Sequence, residues 1–481
     1  MRHPAAFAFA VAAGLLPVSI PHPRAAGEGG GAPAGPALVT SWGIEEFGDA
    51  PAPPPDPKVT LFQNVRIFDG RSAVLSPPSN VLVRGNTIER ISTSPISVDR
   101  RADTSIIDGG GRTLMPGLID AHTHLMFMTV PQLVAVTGDV GYLNAAAVRA
   151  AGDMLMRGFT SARDLGGPVF GLKRAIDQGL VTGPRIWPAG AFITQSGGHG
   201  DFRLPNEFPA PPGSFSFAER LGASIIADNP DAVRQRAREQ LALGASQVKL
   251  MAGGGVASPY SPLDVTQYTV AELRAAVEAA ENWGTYVTAH AYTPRAARQA
   301  IEAGVKCIEH GHLLDEATAR LMAERGTWWS LQPFTDDKPS PFEEGSDNRL
   351  KQLEVFRGTD NAYRLAKQYR VNTAWGTDIL FSPENAALQG TQLSKMVRWY
   401  TPAEALRMAT SDNARLLALS GLRNPYPGKL GVVEEGALAD LLLVDGDPIA
   451  NIRLVDDPAR NFLVIMKDGK IFRNDLPAGR R

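Results

Sequence analysis

The chain holds one cysteine, Cys307, in 481 residues. A single thiol builds neither a disulfide framework nor a thiolate zinc site, so cysteine says nothing about redox compartment. Its expected role is that of a small buried hydrophobe in a strand. An excess of one charge is also missing: 48 lysines and arginines face 50 aspartates and glutamates, a formal net charge of −2. Without a basic stripe or a run of like charges, nucleic acid is not an expected partner. Long apolar runs are scarce. The run over 5–16, preceded by Arg2 and His3, falls short of the ~20 residues that a membrane-spanning helix needs.

That run leads into a stretch rich in Pro, Gly and Ala with small-residue cleavage points, and residues 1–26 resemble a secretory signal peptide. A periplasmic or secreted protein follows as the expectation, with no membrane association after processing. Residues 27–57, ending in Pro51-Ala52-Pro53-Pro54-Pro55-Asp56-Pro57, lack the apolar periodicity of a packed domain and read as a linker or extended arm.

Ordered signals begin at Lys58. Short β runs at 59–68, 80–84 and 87–91 alternate with turn residues such as Asp69-Gly70 and Gly85-Asn86. A matching set returns near the other end, at 439–444 and 462–466, followed by the hairpin signal Lys467-Asp468-Gly469-Lys470. Segments 58–115 and 428–475 are therefore expected to pair as one small β-sandwich. Between them, over 116–427, eight apolar strand-like runs alternate with helical patterns: 118–124, 160–165, 185–192, 247–251, 286–290, 307–310, 328–332 and 373–378. Helical patterns include 231–243, 270–283, 294–303 and 402–419. Eight β/α units over this length are expected to form a (β/α)8 TIM barrel, in which function gathers at the C-terminal strand ends.

Chemistry-bearing residues stand at those ends. His122-Thr123-His124 closes the first run, and period-two alternation turns both imidazoles toward the barrel mouth. Two neutral imidazoles on one face suit a divalent cation. His290 ends the fifth run, His310 the sixth and Asp378 the eighth, so only a closed barrel brings the set together. No Ser or Cys nucleophile elbow is evident. Gly253-Gly254-Gly255 lacks the Lys-Ser/Thr of a phosphate loop and is read as a loop that approaches the centre closely. His312 is expected beside the site rather than in it, and Arg163-Asp164 is read as part of a structural ion pair.

The segment Met115-Pro116-Gly117-Leu118-Ile119-Asp120-Ala121-His122-Thr123-His124, with the later His, His and Asp, resembles the amidohydrolase superfamily. Within it, Gln247-Val248-Lys249-Leu250-Met251, Gly197-Gly198-His199-Gly200-Asp201 and His290-Ala291-Tyr292-Thr293-Pro294 are similar to metal-dependent dipeptidases and ochratoxin amidohydrolases, a group related to imidazolonepropionases. The resemblance implies two divalent metal ions, zinc by expectation. His122, His124 and Asp378 would hold one, His290 and His310 the other, and a carboxylated Lys249 would bridge them. It also implies that a metal-bound hydroxide attacks an amide carbon, with Asp378 as general base and then acid. His199 would donate to the carbonyl oxygen, while Tyr292 and Arg298 would hold a substrate carboxylate. A dipeptide, an N-acyl amino acid or an ochratoxin-like amide fits that description, and similar enzymes commonly associate as homo-oligomers. A cyclic amidase, lactonase or deaminase on the same barrel is the alternative chemistry. A non-catalytic scaffold would have lost ligand positions, which are all filled here.

Overall fold

The apolar runs between the two β-rich ends fold into parallel strands separated by helices. In the computed structural model the described residues are 59–99, 103–211, 213–337 and 340–476. The expected signal segment and linker lie outside them.

Leu118–Thr123, Phe159–Asp164 and Arg185–Pro188 form one parallel ladder. Val248–Met251, Val287–Ala291, Cys307–His310, Trp328–Leu331 and Thr373–Trp375 form a second, joined on its other side by Phe192–Thr194 and Ser224–Ile226. The expected third strand over 185–192 is broken in two. Pro188 has no N–H for the ladder, Gly190 turns at φ 76°, and Ala191 N–H bonds to Gln240 Oε1 at 2.9 Å instead of to a strand.

Main-chain hydrogen bonds close the ring. Ser246 N donates to Pro188 O at 2.7 Å on one side, and Asp378 N donates to His122 O at 2.9 Å on the other. The result is a TIM-barrel-like α/β fold whose strands all run one way, so their C-terminal ends share one rim.

Helices cover the strands for local reasons. Pro230–Ala242 starts with Pro at its first turn and an Asn229 side chain accepting from Ala232 N, the favoured start of a helix. Val270–Asn282 carries a Thr269/Glu272 capping box. Pro294–Ala303 ends on left-handed Gly304. The expected helix over 402–419 is interrupted: Pro402–Arg407 and Asn413–Leu417 flank a π-helical turn, Met408–Asp412. That turn sets Asn413 so that its Nδ2 donates to Ile119 O at 2.8 Å and Trp375 O at 2.7 Å, while its Oδ1 accepts from Trp375 N at 3.1 Å. One buried amide thus ties the first barrel strand to the last.

Both ends of the described chain meet in one mixed sheet of eight strands. Its order is Lys470–Asn474, Phe462–Lys467, Leu441–Val444, Thr113–Pro116, Val59–Ile67, Ser79–Arg84 and Thr87–Ser92, with Thr104–Asp108 also on Val59–Ile67. The two ends share a core in which Phe62, Val81 and Leu114 pack in one cluster with Leu441, Val464 and Met466. Arg185 pins this sheet to the barrel through Asp440 at 2.9 Å and Asp468 at 2.7 Å. Among the described residues, no helix is long and apolar enough to cross a membrane.

Candidate active site

At the C-terminal rim, His122, His124, His199, Lys249, His290, Tyr292, His310 and Asp378 line one cavity of about 330 Å³. Nε2 of His122 and Nε2 of His124 each lie 3.3 Å from Asp378 Oδ1, and these three side chains form a group able to hold a metal ion. The ring centroids of His290 and His310 are 4.5 Å apart, and that of His310 is 4.9 Å from His122.

Two backbone departures aim these groups. Strict alternation puts neighbouring strand residues on opposite faces, yet His310 takes φ 71° and swings back over the cavity. Asp378 lies three residues past its last laddered residue, Trp375, at φ 50°. Non-glycine residues in the left-handed region are uncommon and cluster at functional sites. Asp120 holds the backbone here: its Oδ1 accepts from His122 N at 3.1 Å and Thr377 N at 3.0 Å, and its Oδ2 accepts from Thr377 Oγ1 at 2.6 Å.

Donor chemistry tests whether the set suits divalent ions. Each of the four imidazoles has one ring nitrogen on an acceptor. His122 Nδ1 meets Glu309 Oε2 at 2.9 Å, His124 Nδ1 meets Gly166 O at 3.1 Å, His310 Nδ1 meets Gln332 Oε1 at 2.8 Å, and His290 Nε2 meets Gly254 O at 2.9 Å. The Gln332 amide orientation is set by Nε2 donating to Ser330 O at 3.2 Å. An acceptor favours the proton on the facing nitrogen and leaves the other one available to a metal; at His122 and His124 that other nitrogen faces Asp378, with which they would share an ion. Burial disfavours the charged form of three of these rings. It pushes His122 down to about 4, against the pull of Asp378, and His290 and His310 well below the ordinary range. Asp378, which burial alone would raise, is held low by His122 and His124.

Lys249 is 1% exposed. Burial lowers its ammonium to about 8 although Glu309 and Asp378 oppose the shift, and among the described residues no hydrogen bond or ion pair engages its Nζ. His199 sits with its ring centroid 4.2 Å from His290. Its Nδ1 has no partner among the described residues, and burial followed by the Lys249 charge pushes it down to about 3. The triple glycine makes the close approach that the sequence suggests: a Cβ on Gly255 would strike the His199 ring, and one on Gly254 would strike Pro262 O.

Arg298 corrects an expectation. It is 44% exposed and absent from the cavity lining, with Nη1 on Asp315 at 3.0 Å and on Thr318 Oγ1 at 2.8 Å. It lies one helical turn into Pro294–Ala303, on the face that packs toward the next helix, so it meets that helix's N-cap instead of the barrel mouth. Tyr292 does face the cavity, its ring stacked 5.1 Å from His310. Among the described lining residues the cations are Lys249 and Lys395, the latter 2.6 Å from Asp337. His312 lies beside the site, with Nε2 on Gln332 O at 2.9 Å.

Beneath the rim the structure shows more than the sequence suggested. Arg163 pairs with Glu309 at 2.7 Å, not with its neighbour Asp164, which instead accepts from Leu125 N at 2.7 Å. Cys307 is buried as expected, but its Sγ lies 3.3 Å from Glu309 Oε1, inside a polar cluster. The only sequence signal for Glu309 was its place in Ile308-Glu309-His310, one residue from a candidate ligand.

Comparison with known proteins agrees with this geometry. A model of the amidohydrolase family matches residues 113–472. Ochratoxinase of Aspergillus niger is 30% identical over 388 residues, which cover 75% of this chain and 75% of the ochratoxinase. A solved amidohydrolase is 35% identical and covers 87% of this chain and all of its own, with a TM-score of 0.79. A prolidase solved with N-methylphosphonate-L-proline is 33% identical over 86% of this chain and all of its own, with a TM-score of 0.78. With the histidines and aspartate gathered on one rim of a parallel barrel, the chain belongs to the amidohydrolase family and is a hydrolase acting on amide C–N bonds.

Proposed function

We propose that the protein is a binuclear metal-dependent amidohydrolase that cleaves the amide bond of a small substrate bearing a free carboxylate, such as a dipeptide, an N-acyl amino acid or an ochratoxin-like amide. The observation that carries this reading is the arrangement of four imidazoles, each with one ring nitrogen on a protein acceptor, around one cavity that Asp378 and Lys249 also line. His122, His124 and Asp378 would hold one divalent ion and His290 and His310 the other, zinc being the expected metal. When bound, such a pair activates water at neutral pH and polarises the scissile carbonyl.

The chain's own residues do the rest. Lys249, lowered toward neutrality, would add carbon dioxide at Nζ with release of a proton, and as a carbamate it would become an anionic ligand shared by the two ions. Asp378 takes the proton of the attacking water and returns it to the departing amide nitrogen. His199, neutral, donates its N–H to the carbonyl oxygen as charge develops there. With Arg298 turned away, the groups in the cavity suited to a substrate carboxylate are the Tyr292 hydroxyl and Lys395, which would exchange Asp337 for the substrate. The relatives support this substrate class by name, as an ochratoxinase and a prolidase.

Around this site we read 116–427 as the catalytic domain, and 58–115 with 428–475 as a satellite whose sheet folds as a sandwich. The N-terminal segment is read as an export signal. Protein recovered from its native host should then begin between the apolar run and Lys58, and N-terminal sequencing that finds Met1 intact would refute export. The function is tested with metal-replete protein on N-acyl amino acids, dipeptides, cyclic amides and lactones. Turnover confined to the first two classes is expected, and turnover confined to the last two would replace this reading with the cyclic alternative.

A further inference from the structure

Both His122 and His124 turn Nε2 to the Asp378 carboxylate at 3.3 Å, but of the four imidazoles His122 alone has a second carboxylate on its other ring nitrogen. The others bond to carbonyl oxygens of Gly166, Gly254 and Gln332. Glu309 and its surroundings are sealed: both Arg163 and Glu309 side chains are 0% exposed. Oε2 faces His122 Nδ1 at 2.9 Å. Oε1 receives Arg163 Nη2 at 2.7 Å and the Thr288 hydroxyl. Arg163 is itself fixed, with Nε on Ala121 O at 2.6 Å and Nη1 on Tyr286 OH at 3.2 Å.

Isolated buried ion pairs are weak devices for stability, because desolvation offsets most of the attraction. A buried pair whose free oxygen ends on an imidazole has another use. We propose that Glu309 is a positioning residue for His122: clamped by Arg163 and Thr288, and closer at Nδ1 (2.9 Å) than Asp378 is at Nε2 (3.3 Å), it holds the imidazole proton on Nδ1 and leaves the Nε2 lone pair for the ion that His122, His124 and Asp378 would hold. The inference rests on the metal-binding reading above, and it concerns a residue that touches neither substrate nor Asp378.

Hydrogen-bond directions give it a signature that simple packing lacks. In Glu309→Gln the arginine demands the only oxygen, so the amide must turn its NH2 toward His122. Nδ1 then becomes an acceptor, the proton moves to Nε2, and the ring presents a donor to the cavity. Replacing Arg163 as well, in Arg163→Met/Glu309→Gln, frees the amide oxygen to face Nδ1 again, with the NH2 on the Thr288 hydroxyl. A second substitution in the core should therefore restore what the first one removed. In Arg163→Met/Glu309→Leu no acceptor remains, and the core stays neutral.

The experiment uses full-length protein and two readouts. Nitrogen-15 histidine spectra of the metal-free protein, with His122→Asn to assign the signal, report the tautomer. Titration with zinc alone reports affinity. Wild type should carry its proton on Nδ1. Glu309→Gln should move it to Nε2 and weaken zinc binding about 10- to 100-fold, the usual effect of losing such a partner. The Met/Gln double variant should return the proton to Nδ1 and recover most of the affinity, whereas Met/Leu should not. An Nε2 proton in wild type overturns the proposal. So does equal zinc affinity in Met/Gln and Met/Leu, a comparison that stands even if Glu309→Gln alone does not fold. Failure of every amide substrate would refute the proposed reaction and leave these readouts untouched.

Discussion

Lys249 shows why residue type at a given place decides chemistry. An ammonium has three donors and no lone pair, so an unmodified lysine cannot ligate a cation. Aimed among four imidazoles prepared for cations it would be repulsive, and burial already lowers it to about 8. Lys249→Ala should therefore abolish turnover and retention of a second metal, and a short carboxylic acid such as acetate should restore part of the activity by filling the vacated bridge. Two metals retained at near-normal kcat would refute the carbamate. On the proposed reading, Tyr292 and Lys395 would hold the substrate carboxylate. A hydrogen bond to a charged group is worth about 1.5–3 kcal/mol, so Lys395→Met should raise KM for dipeptides about 10- to 100-fold. It should spare amides that lack the carboxylate, and Tyr292→Phe should act in the same direction more weakly. Steady-state kinetics on both substrate types decide this, and equal damage to the two types would remove the carboxylate role.

At the scale of elements, the helix interrupted at Met408–Asp412 is a fastener for the barrel seam. Asn413 satisfies Ile119 O, Trp375 O and Trp375 N with one side chain. Asn413→Ala would orphan buried polar groups on both strands, and each unsatisfied group costs about 1–3 kcal/mol. A loss on the order of 3 kcal/mol in urea unfolding is expected, with zinc affinity also reduced because Asp378 hangs from the same seam through His122 O. Unchanged unfolding would mean that the seam closes without it. Periodicity revealed the strands but not this device, because a π turn inserts one residue into a pattern that still reads as helical. The broken third strand escaped for a related reason: its apolar run continues through Ala189-Gly190-Ala191, and only the Gln240 contact from another element shows where pairing stops. The cavity residues, by contrast, were legible. Alternation for His122 and His124, and strand ends for His290, His310 and Asp378, put this set on one rim from the sequence alone, while Lys249 came from the resemblance to the amidohydrolase superfamily. Arg298 was misread because a spacing within a helix says nothing about which neighbour the helix faces. Glu309 was passed over because alternation hides it beneath His310, and only the left-handed turn at His310 lets both side chains reach His122.

At the scale of the whole molecule, the site is a concentration of neutral imidazoles in a sealed barrel, and that sets how stability responds to acid. Five histidines, His122, His199, His290, His310 and His312, have folded-state affinities for protons below the ordinary value of 6.5, burial being the leading cause in each. In the unfolded chain they take up protons near 6.5; in the folded protein His122 and His312 do so only near 4. Between those values the unfolded state binds more protons, so stability that is present above 6.5 is lost as pH falls toward 4. Two carboxylates act in the opposite sense. Burial raises Asp120 to about 6 and Asp164 to about 7, so their protonation as pH falls relieves a cost that the folded state bears at neutral pH. The imidazoles outnumber them, and each can contribute on the order of a few kcal/mol when its shift spans two units. The metal-free protein should therefore lose unfolding free energy steadily from pH 7 to pH 4.5. His312→Gln should flatten that slope, since the glutamine amide can still donate to Gln332 O and no longer titrates. Urea midpoints measured across this range in the presence of a chelator test the balance. A flat or rising profile would show that the buried carboxylates, not the imidazoles, govern the acid response of the barrel.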